Sequence, residues 1–465
     1  MNNNNKLEDR ASGSRSKHEG ESSAPLCDRL SQTRGYSQRQ LPTDHDYAVS
    51  TREYQTDQSS LKPAPTAARP VLEIQQKQLQ RQKQPPGFGC IDRVTPYQGE
   101  GVPFRGPISV PVRDSAYNVS VTSDFITRLP KAELHLHLEG SVDPLTLSQL
   151  SEKHHTPFPW SSNRYKPLPD SHRSLTVSEA AALYNYTDFT GFLMAFKAVT
   201  ERLRDPEDFE LITYRLVEKL AAQGCLHAEV FVSVGVIFWR GQEFDPLFAG
   251  MERGRLRAEK DFGTSLYWIF DAVRHFGPEE GEKVLAKAIQ LRAQSSSIVG
   301  IGIGGDERIA GPELFEHVYA AASKAGLRLS VHAGETTGPA SIAGALDALK
   351  AERLGHALHA AQDPALLARL VREQVPLELC VTSNLRTSCC LSLADHPLRR
   401  YFDAGALVTL NTDDPEMFQT TLVREYQIAQ DAFGFTNNEL RQLAANSFRA
   451  SWLPEERKRE LLNLL

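Results

Sequence analysis

A chain of 465 residues with 52 Lys and Arg against 58 Asp and Glu has a net charge of -6 and no basic stripe, which gives no grounds for a nucleic-acid partner. It has no uninterrupted apolar stretch of about 18 residues and hence no candidate transmembrane helix, and Met1 to Arg10 lacks the apolar run of a secretory signal. Six cysteines in so long a chain, with Cys389 and Cys390 adjacent and no Cys-x-x-Cys, form no disulfide framework, so a reduced, cytoplasmic setting is expected.

Residues 1–119 are rich in Asn, Ser, Gln, Arg, Lys and Pro, with runs such as Gln75 to Gln84 and Pro85-Pro86. Their apolar residues follow neither helical nor strand period, so burial cannot offset the entropy of ordering. The composition predicts a disordered extension with a short helix around Val71 to Gln82. A dispensable solvated tail is the simpler reading and a docking tail the functional one.

From about residue 120 to residue 465, short apolar runs alternate with amphipathic stretches. Strands are predicted at Glu133 to Leu138, His227 to Val232, Ser265 to Asp271 and Val299 to Ile303. Four more follow at Leu327 to His332, Arg353 to His356, Leu377 to Val381 and Leu407 to Asn411. Between them the spacing predicts helices over Pro206 to Gln223, Pro278 to Ala293, Pro312 to Lys324, Ile342 to Leu349 and Pro364 to Glu373. This βα alternation favours a (β/α)8 barrel, a TIM barrel, over an open doubly wound sheet. The long segment from Gly140 to Leu226, with helical spacing over Val177 to Tyr186 and Thr190 to Arg204, predicts an insertion after the first strand that caps the active face. Helices over Thr421 to Ala432 and Asn437 to Ser447 close the chain.

The chemistry lies at strand ends. His135 and His137 alternate on one strand and so share a face. His332 and Asp413 end other strands and would converge on the same barrel mouth. Without an ion, these buried polar groups would each cost on the order of 1–3 kcal/mol. Three imidazoles and a carboxylate make a borderline N/O set that suits one zinc ion. Glu335 lies beyond the strand that ends at His332, which suits a proton carrier; the bland alternative is a carboxylate at a helix N-terminus. His356 is a fifth ligand or a base beside the metal. Asp414 faces away from Asp413 and reads a polar atom of the substrate, or simply caps the loop before Pro415. Gly305 allows a close backbone approach to a ligand. The segment Val299 to Gly305 has no lysine to bridge two metals, and the chain has no His-x-Glu with Pro-Cys-x-x-Cys, no Gly-x-Ser-x-Gly elbow and no Walker loop.

The run Pro130-Lys131-Ala132-Glu133-Leu134-His135-Leu136-His137-Leu138-Glu139-Gly140-Ser141 resembles the opening motif of the adenosine deaminase family. Ser330-Val331-His332-Ala333-Gly334-Glu335 and Arg353-Leu354-Gly355-His356 resemble its middle motifs. Thr382-Ser383-Asn384, His396-Pro397-Leu398 and Asn411-Thr412-Asp413-Asp414-Pro415 resemble its closing ones. The resemblance runs from about Phe125 to the C-terminus. It implies a barrel holding one zinc through His135, His137, His332 and Asp413, with Glu335 protonating ring N1 of a 6-aminopurine and His356 orienting or deprotonating the attacking water. It further implies Gly305 at N3, Asp414 at N7 and Glu139 at the ribose 5′-hydroxyl, with His137 also beside the substrate. Glu139 stands where adenosine-specific members usually carry Asp, and Gln419 where many relatives have Gly. Thr382-Ser383-Asn384 and the Asp413-Asp414 motif look more like the nucleoside-acting branch. The implied activity is hydrolysis of adenosine or 2′-deoxyadenosine to the inosine product and ammonia. Adenine or a 5′-substituted adenosine such as aminodeoxyfutalosine is the alternative substrate. A non-catalytic binding barrel is the alternative class, and it would need neither Glu335 nor His356.

Overall fold

A computed structural model describes residues 124–156, 174–186 and 189–465. The expected extension and its helix around Val71 to Gln82 lie outside the described residues. Eight parallel strands run in sequential order: β1 (Lys131–His137), β2 (Cys225–Val232), β3 (Ser265–Val273), β4 (Ile298–Gly304), β5 (Arg328–Ala333), β6 (Arg353–His356), β7 (Leu377–Leu379) and β8 (Val408–Leu410). Just past β8, Asp413 bridges in parallel to Leu136. Its N–H donates to the His135 carbonyl at 3.0 Å and its carbonyl accepts from the His137 N–H at 2.8 Å. These bonds close the sheet into a (β/α)8 barrel, and the open-sheet alternative falls. No helix among the described residues is long and apolar enough to cross a membrane.

Every predicted strand forms, within a few residues at each end. The predicted barrel helices form as well, at Pro206–Ala222, Pro278–Arg292, Pro339–Asp347 and Pro364–Glu373, while Pro312 to Lys324 begins with a 3-10 turn. Proline at their first turn fits, because no helical partner awaits its missing N–H. One long helix escapes the sequence reading, Phe244–Phe262, because Pro246, Gly250 and Gly254 look like breakers. The structure gives those glycines another use. A Cβ at Gly250 would fall 1.9 Å from the Pro206 carbonyl oxygen, and one at Gly254 would fall 2.5 Å from that of Glu210. This helix lies directly against Pro206–Ala222, so glycine serves close packing there.

The insertion after β1 contains helices at Pro144–Lys153, Val177–Leu183 and Phe189–Thr200. It is fastened to the loop after β8. Phe192 stacks on Phe418 at 5.0 Å, and the Tyr186 hydroxyl donates to the Met417 carbonyl at 2.8 Å. Gln419, with φ of 56°, occupies the left-handed conformation that glycine adopts most readily. Its amide donates to the Tyr184 carbonyl at 3.1 Å and to Asn185 at 2.8 Å, so glutamine here ties down the insertion.

Inside the barrel, below the mouth, Arg353 links three strands. Its Nε lies 2.7 Å from Glu378 on β7, its Nη1 pairs with Glu229 on β2, and its guanidinium sits 3.5 Å over the Trp452 ring. A buried cation is tolerable when it is paired on both sides in this way.

Candidate active site

β1 carries His135 and His137 to the C-terminal mouth, β5 brings His332, and the closure beside β8 brings Asp413. His137 Nε2 lies 3.3 Å from His332 Nε2 and 3.3 Å from Asp413 Oδ1, and His135 Nε2 is 3.7 Å from that oxygen. These distances bring the four expected ligands into one cluster. His356 joins them at the end of β6, with its Nε2 3.9 Å from Asp413 Oδ2. Ligand atoms from His135, His332, His356 and Asp413 all lie within 4.8 Å of one another.

The donor set fits a cation on local evidence. His135 Nδ1 is engaged by Glu378 at 2.8 Å and His332 Nδ1 by the Ile303 carbonyl at 3.0 Å, which leaves the Nε2 lone pairs of both rings facing inward. His135 Nε2 is buried without a hydrogen-bond partner. Burial first, and then the neighbouring imidazoles, push the pKa of His135 and His332 well below the usual histidine range, so the rings are neutral. Neutral imidazoles and a carboxylate at this spacing would repel one another without a positive charge between them.

The backbone is also arranged for the site. His356 and Asp413 adopt φ of 63° and 67°, a left-handed conformation rare for such residues and found here at two of the converging side chains. Gly355, just before His356, is required for space. A Cβ there would lie 2.6 Å from the His135 ring.

Glu335 faces the cluster from the loop after β5. Its Oε2 is 3.8 Å from His356 Nε2 and its Oε1 is 3.7 Å from the Cys389 thiol, which donates to it. Burial raises the Glu335 pKa, with Asp413 and Glu307 acting in the same direction against His356, so the group keeps a proton at higher pH than an ordinary glutamate. Burial and the adjacent Glu335 push the Cys389 thiol up to about 12, so it stays protonated.

Glu139 and Asp414 are buried nearby, one oxygen of each lacking a partner. Glu139 Oε1 accepts from the Ser233 N–H at 3.0 Å, and burial lifts its pKa to about 7. Burial and then Asp413 raise Asp414 well above the usual range. Gly305 follows β4 with φ of 90°.

Several residues that orient this site escaped the sequence reading. Glu307 accepts from the N–H groups of Gly334, Glu335 and Thr336 at 2.7, 2.7 and 2.9 Å, so a buried carboxylate shapes the loop that presents Glu335. The Ser383 hydroxyl donates to Asp413 Oδ2 at 2.6 Å, and the Asn384 amide donates to His356 Nδ1 at 3.0 Å. The only signal for the last two was their place in a recognisable motif. For Glu307 it was proximity to the glycine-rich β4.

The sequence profile of the family described as Adenosine deaminase matches residues 130–465. Aminodeoxyfutalosine deaminase of Streptomyces avermitilis is 38% identical over 329 residues, covering 71% of this chain and 88% of that protein. The crystal structure of adenine deaminase from Arthrobacter aurescens superposes with a TM-score of 0.66 at 33% identity, over 72% of this chain and 97% of that one. A Zn-bound amidohydrolase from Burkhoderia ambifaria gives 0.65 at 26% identity, over 75% and 92%.

Proposed function

The chain belongs to the adenosine deaminase family, and we propose that it is a zinc-dependent hydrolase converting adenine to hypoxanthine and ammonia. The observation that carries this reading is the clustering of His135, His137, His332 and Asp413, with Glu335 and His356 beside them. His135, His137, His332 and Asp413 would hold the ion, and the Zn-bound neighbour supports zinc as its identity. When bound, such an ion supplies a hydroxide nucleophile near neutral pH by lowering the pKa of water.

The chain's own groups would divide the remaining work. Glu335, with its raised pKa, delivers a proton to ring N1 and makes C6 electrophilic. Asn384 donates to Nδ1 of His356, which leaves the ring proton on Nε2. His356 then faces the attacking oxygen as a donor, which favours orientation over deprotonation among the two roles its position allows. Asp414 meets N7, the Gly305 N–H meets N3, and Glu139 faces the N9 edge. The described helices of the insertion, fastened to the loop after β8, would limit water at the mouth.

Two considerations favour adenine over adenosine. Glu139 replaces the Asp usual in adenosine-specific members. Ser383 and Asn384 touch Asp413 and His356, so the motif that resembles the nucleoside branch serves the metal side and says nothing about a sugar. A 5′-substituted adenosine is the second reading, favoured by the 38% identical aminodeoxyfutalosine deaminase.

The test is loss of the 6-aminopurine ultraviolet band with adenine, adenosine and aminodeoxyfutalosine, with metal quantified in the same sample. Adenine should turn over fastest. Rapid adenosine turnover with adenine untouched would overturn the substrate, and a zinc-loaded preparation inactive on all three would overturn the enzyme.

A further inference from the structure

Asp271 is a buried acid for which the reaction above has no use. It lies on β3 opposite Gly302 of β4, it is 3% exposed, and its Oδ1 has no hydrogen-bond partner. The nearby Arg274 is committed elsewhere, donating to the Ala310 carbonyl at 2.8 Å and to the His332 carbonyl at 2.7 Å. A buried carboxyl oxygen left without a donor costs about 1–3 kcal/mol, so its retention calls for a ligand that supplies one.

Its position says which part of a ligand. A Cβ on Gly302 would come 2.6 Å from Asp271 Oδ1, and one on Gly304 would come 3.0 Å from Oδ2 and 3.7 Å from the His332 ring. Two side-chain-free residues of β4 thus clear the space that this carboxyl fills, next to a metal-ligand ring and immediately before Gly305. Glu139 and Asp413 both act on Asp271 electrostatically. Glu139 Oε2 is likewise without a partner. Asp271 and Glu139 thus each leave one buried carboxyl oxygen unmet.

We propose that Asp271 contacts the substrate and, with Glu139, accepts hydrogen bonds from donors at the N9 edge of the 6-aminopurine. The donor is N9–H in the free base or a ribose hydroxyl in a nucleoside. This rests on the reading given above, in which Gly305 faces N3 and Glu139 the N9 edge. A carboxyl offers an acceptor oxygen in either protonation state. A substrate with no donor at that edge leaves buried acceptors unmet, and sites built to bond such a group reject the analogue lacking it.

The discriminating probe is 9-methyladenine, which keeps the reacting ring and replaces the N9 donor with a methyl group. Adenine and adenosine, run beside it, separate the two donor sources. Zinc-loaded wild type should show kcat/KM for 9-methyladenine at least about 100-fold below that for the better of the two. Asp271→Ala should lower the better substrate by about 10- to 100-fold and leave 9-methyladenine nearly unchanged, so the gap narrows. Asp271→Asn, which keeps an acceptor, should recover part of the loss, hold zinc and melt no lower than the parent. Equal losses on donor-bearing and methylated substrates would make Asp271 merely structural, and wild-type turnover of 9-methyladenine at the adenine rate would overturn the proposal. If zinc-loaded wild type turns over no 6-aminopurine, the deaminase reading itself fails and this proposal falls with it.

Discussion

Glu378 Oε2 lies 2.8 Å from Nδ1 of His135, both fully buried, one on β7 and the other on β1. This carboxylate fixes which ring nitrogen faces the metal point, and Arg353 holds it in place through Nε at 2.7 Å. Burial lifts the Glu378 pKa to about 7, against the opposing pull of Arg353. Glu378→Ala is expected to weaken metal binding by about 10- to 100-fold, because the ring loses its orienting acceptor. It should also destabilise the fold by about 3–5 kcal/mol, because Arg353 loses one of its two buried partners. Chelator competition and denaturant unfolding check the two effects separately. An unchanged metal affinity would remove Glu378 from the site.

Glu335→Gln should retain the metal and lose about 10²- to 10⁴-fold in kcat, since it deletes a proton-transfer group without touching a ligand. In wild type, kcat should fall as rising pH removes the Glu335 proton, and this alkaline limb should be absent from the variant's residual rate. Metal content with kcat, measured across pH, decides it. Loss of metal together with rate would assign Glu335 a ligand role instead.

The metal ligands were legible because each sits in a local pattern. His135 and His137 show strand alternation, while His332 and Asp413 end apolar runs. The barrel was legible for the same reason, since β-type runs and proline-started helices alternate regularly. Glu378, Glu307 and Asn384 were hidden because their importance comes from register between distant segments. Nothing near Glu378 in the sequence says that β7 sets it against His135. Phe244–Phe262 was hidden differently, because Gly250 and Gly254 lower helix propensity while permitting the approach to Pro206–Ala222.

Gly355→Ala tests the space beside His135. The added Cβ would sit 2.6 Å from the ring Cε1, on a strand held by pairing to β5 and β7. The ring must move, and metal affinity should fall by about tenfold or more while the barrel still folds. Metal quantification together with circular dichroism separates a displaced ligand from an unfolded chain. Full metal occupancy at wild-type affinity would mean that the ring has more room than this geometry allows.

Glu139 offers a test through stability. Its pKa rises from 4.5 in the unfolded chain to about 7 in the folded one through burial. Between those values the native state holds a proton that the unfolded state has released, so stability falls as pH rises across the window. A shift of this size corresponds to about 3 kcal/mol across the whole range. Glu139→Gln, which cannot titrate, should flatten the decline in unfolding free energy between about pH 5 and 7, measured on metal-free protein so that metal binding does not contribute. A parallel decline in both proteins would place the titration in other buried acids such as Glu133, whose pKa burial also lifts to about 7.

The link between Gln419 and the insertion separates fold stability from closure. Gln419→Gly relieves a left-handed residue, a gain of about 1–2 kcal/mol, and removes two hydrogen bonds worth about 0.5–1.5 kcal/mol each. These terms nearly cancel, so Tm should move little. The tie to Tyr184 and Asn185 is lost regardless, and the insertion should open more often. Amide exchange over Val177–Leu183 should accelerate while the barrel strands keep their protection, and KM should rise because the cover no longer retains the substrate. Exchange unchanged in that helix would mean that the Phe192–Phe418 stack alone fastens the insertion.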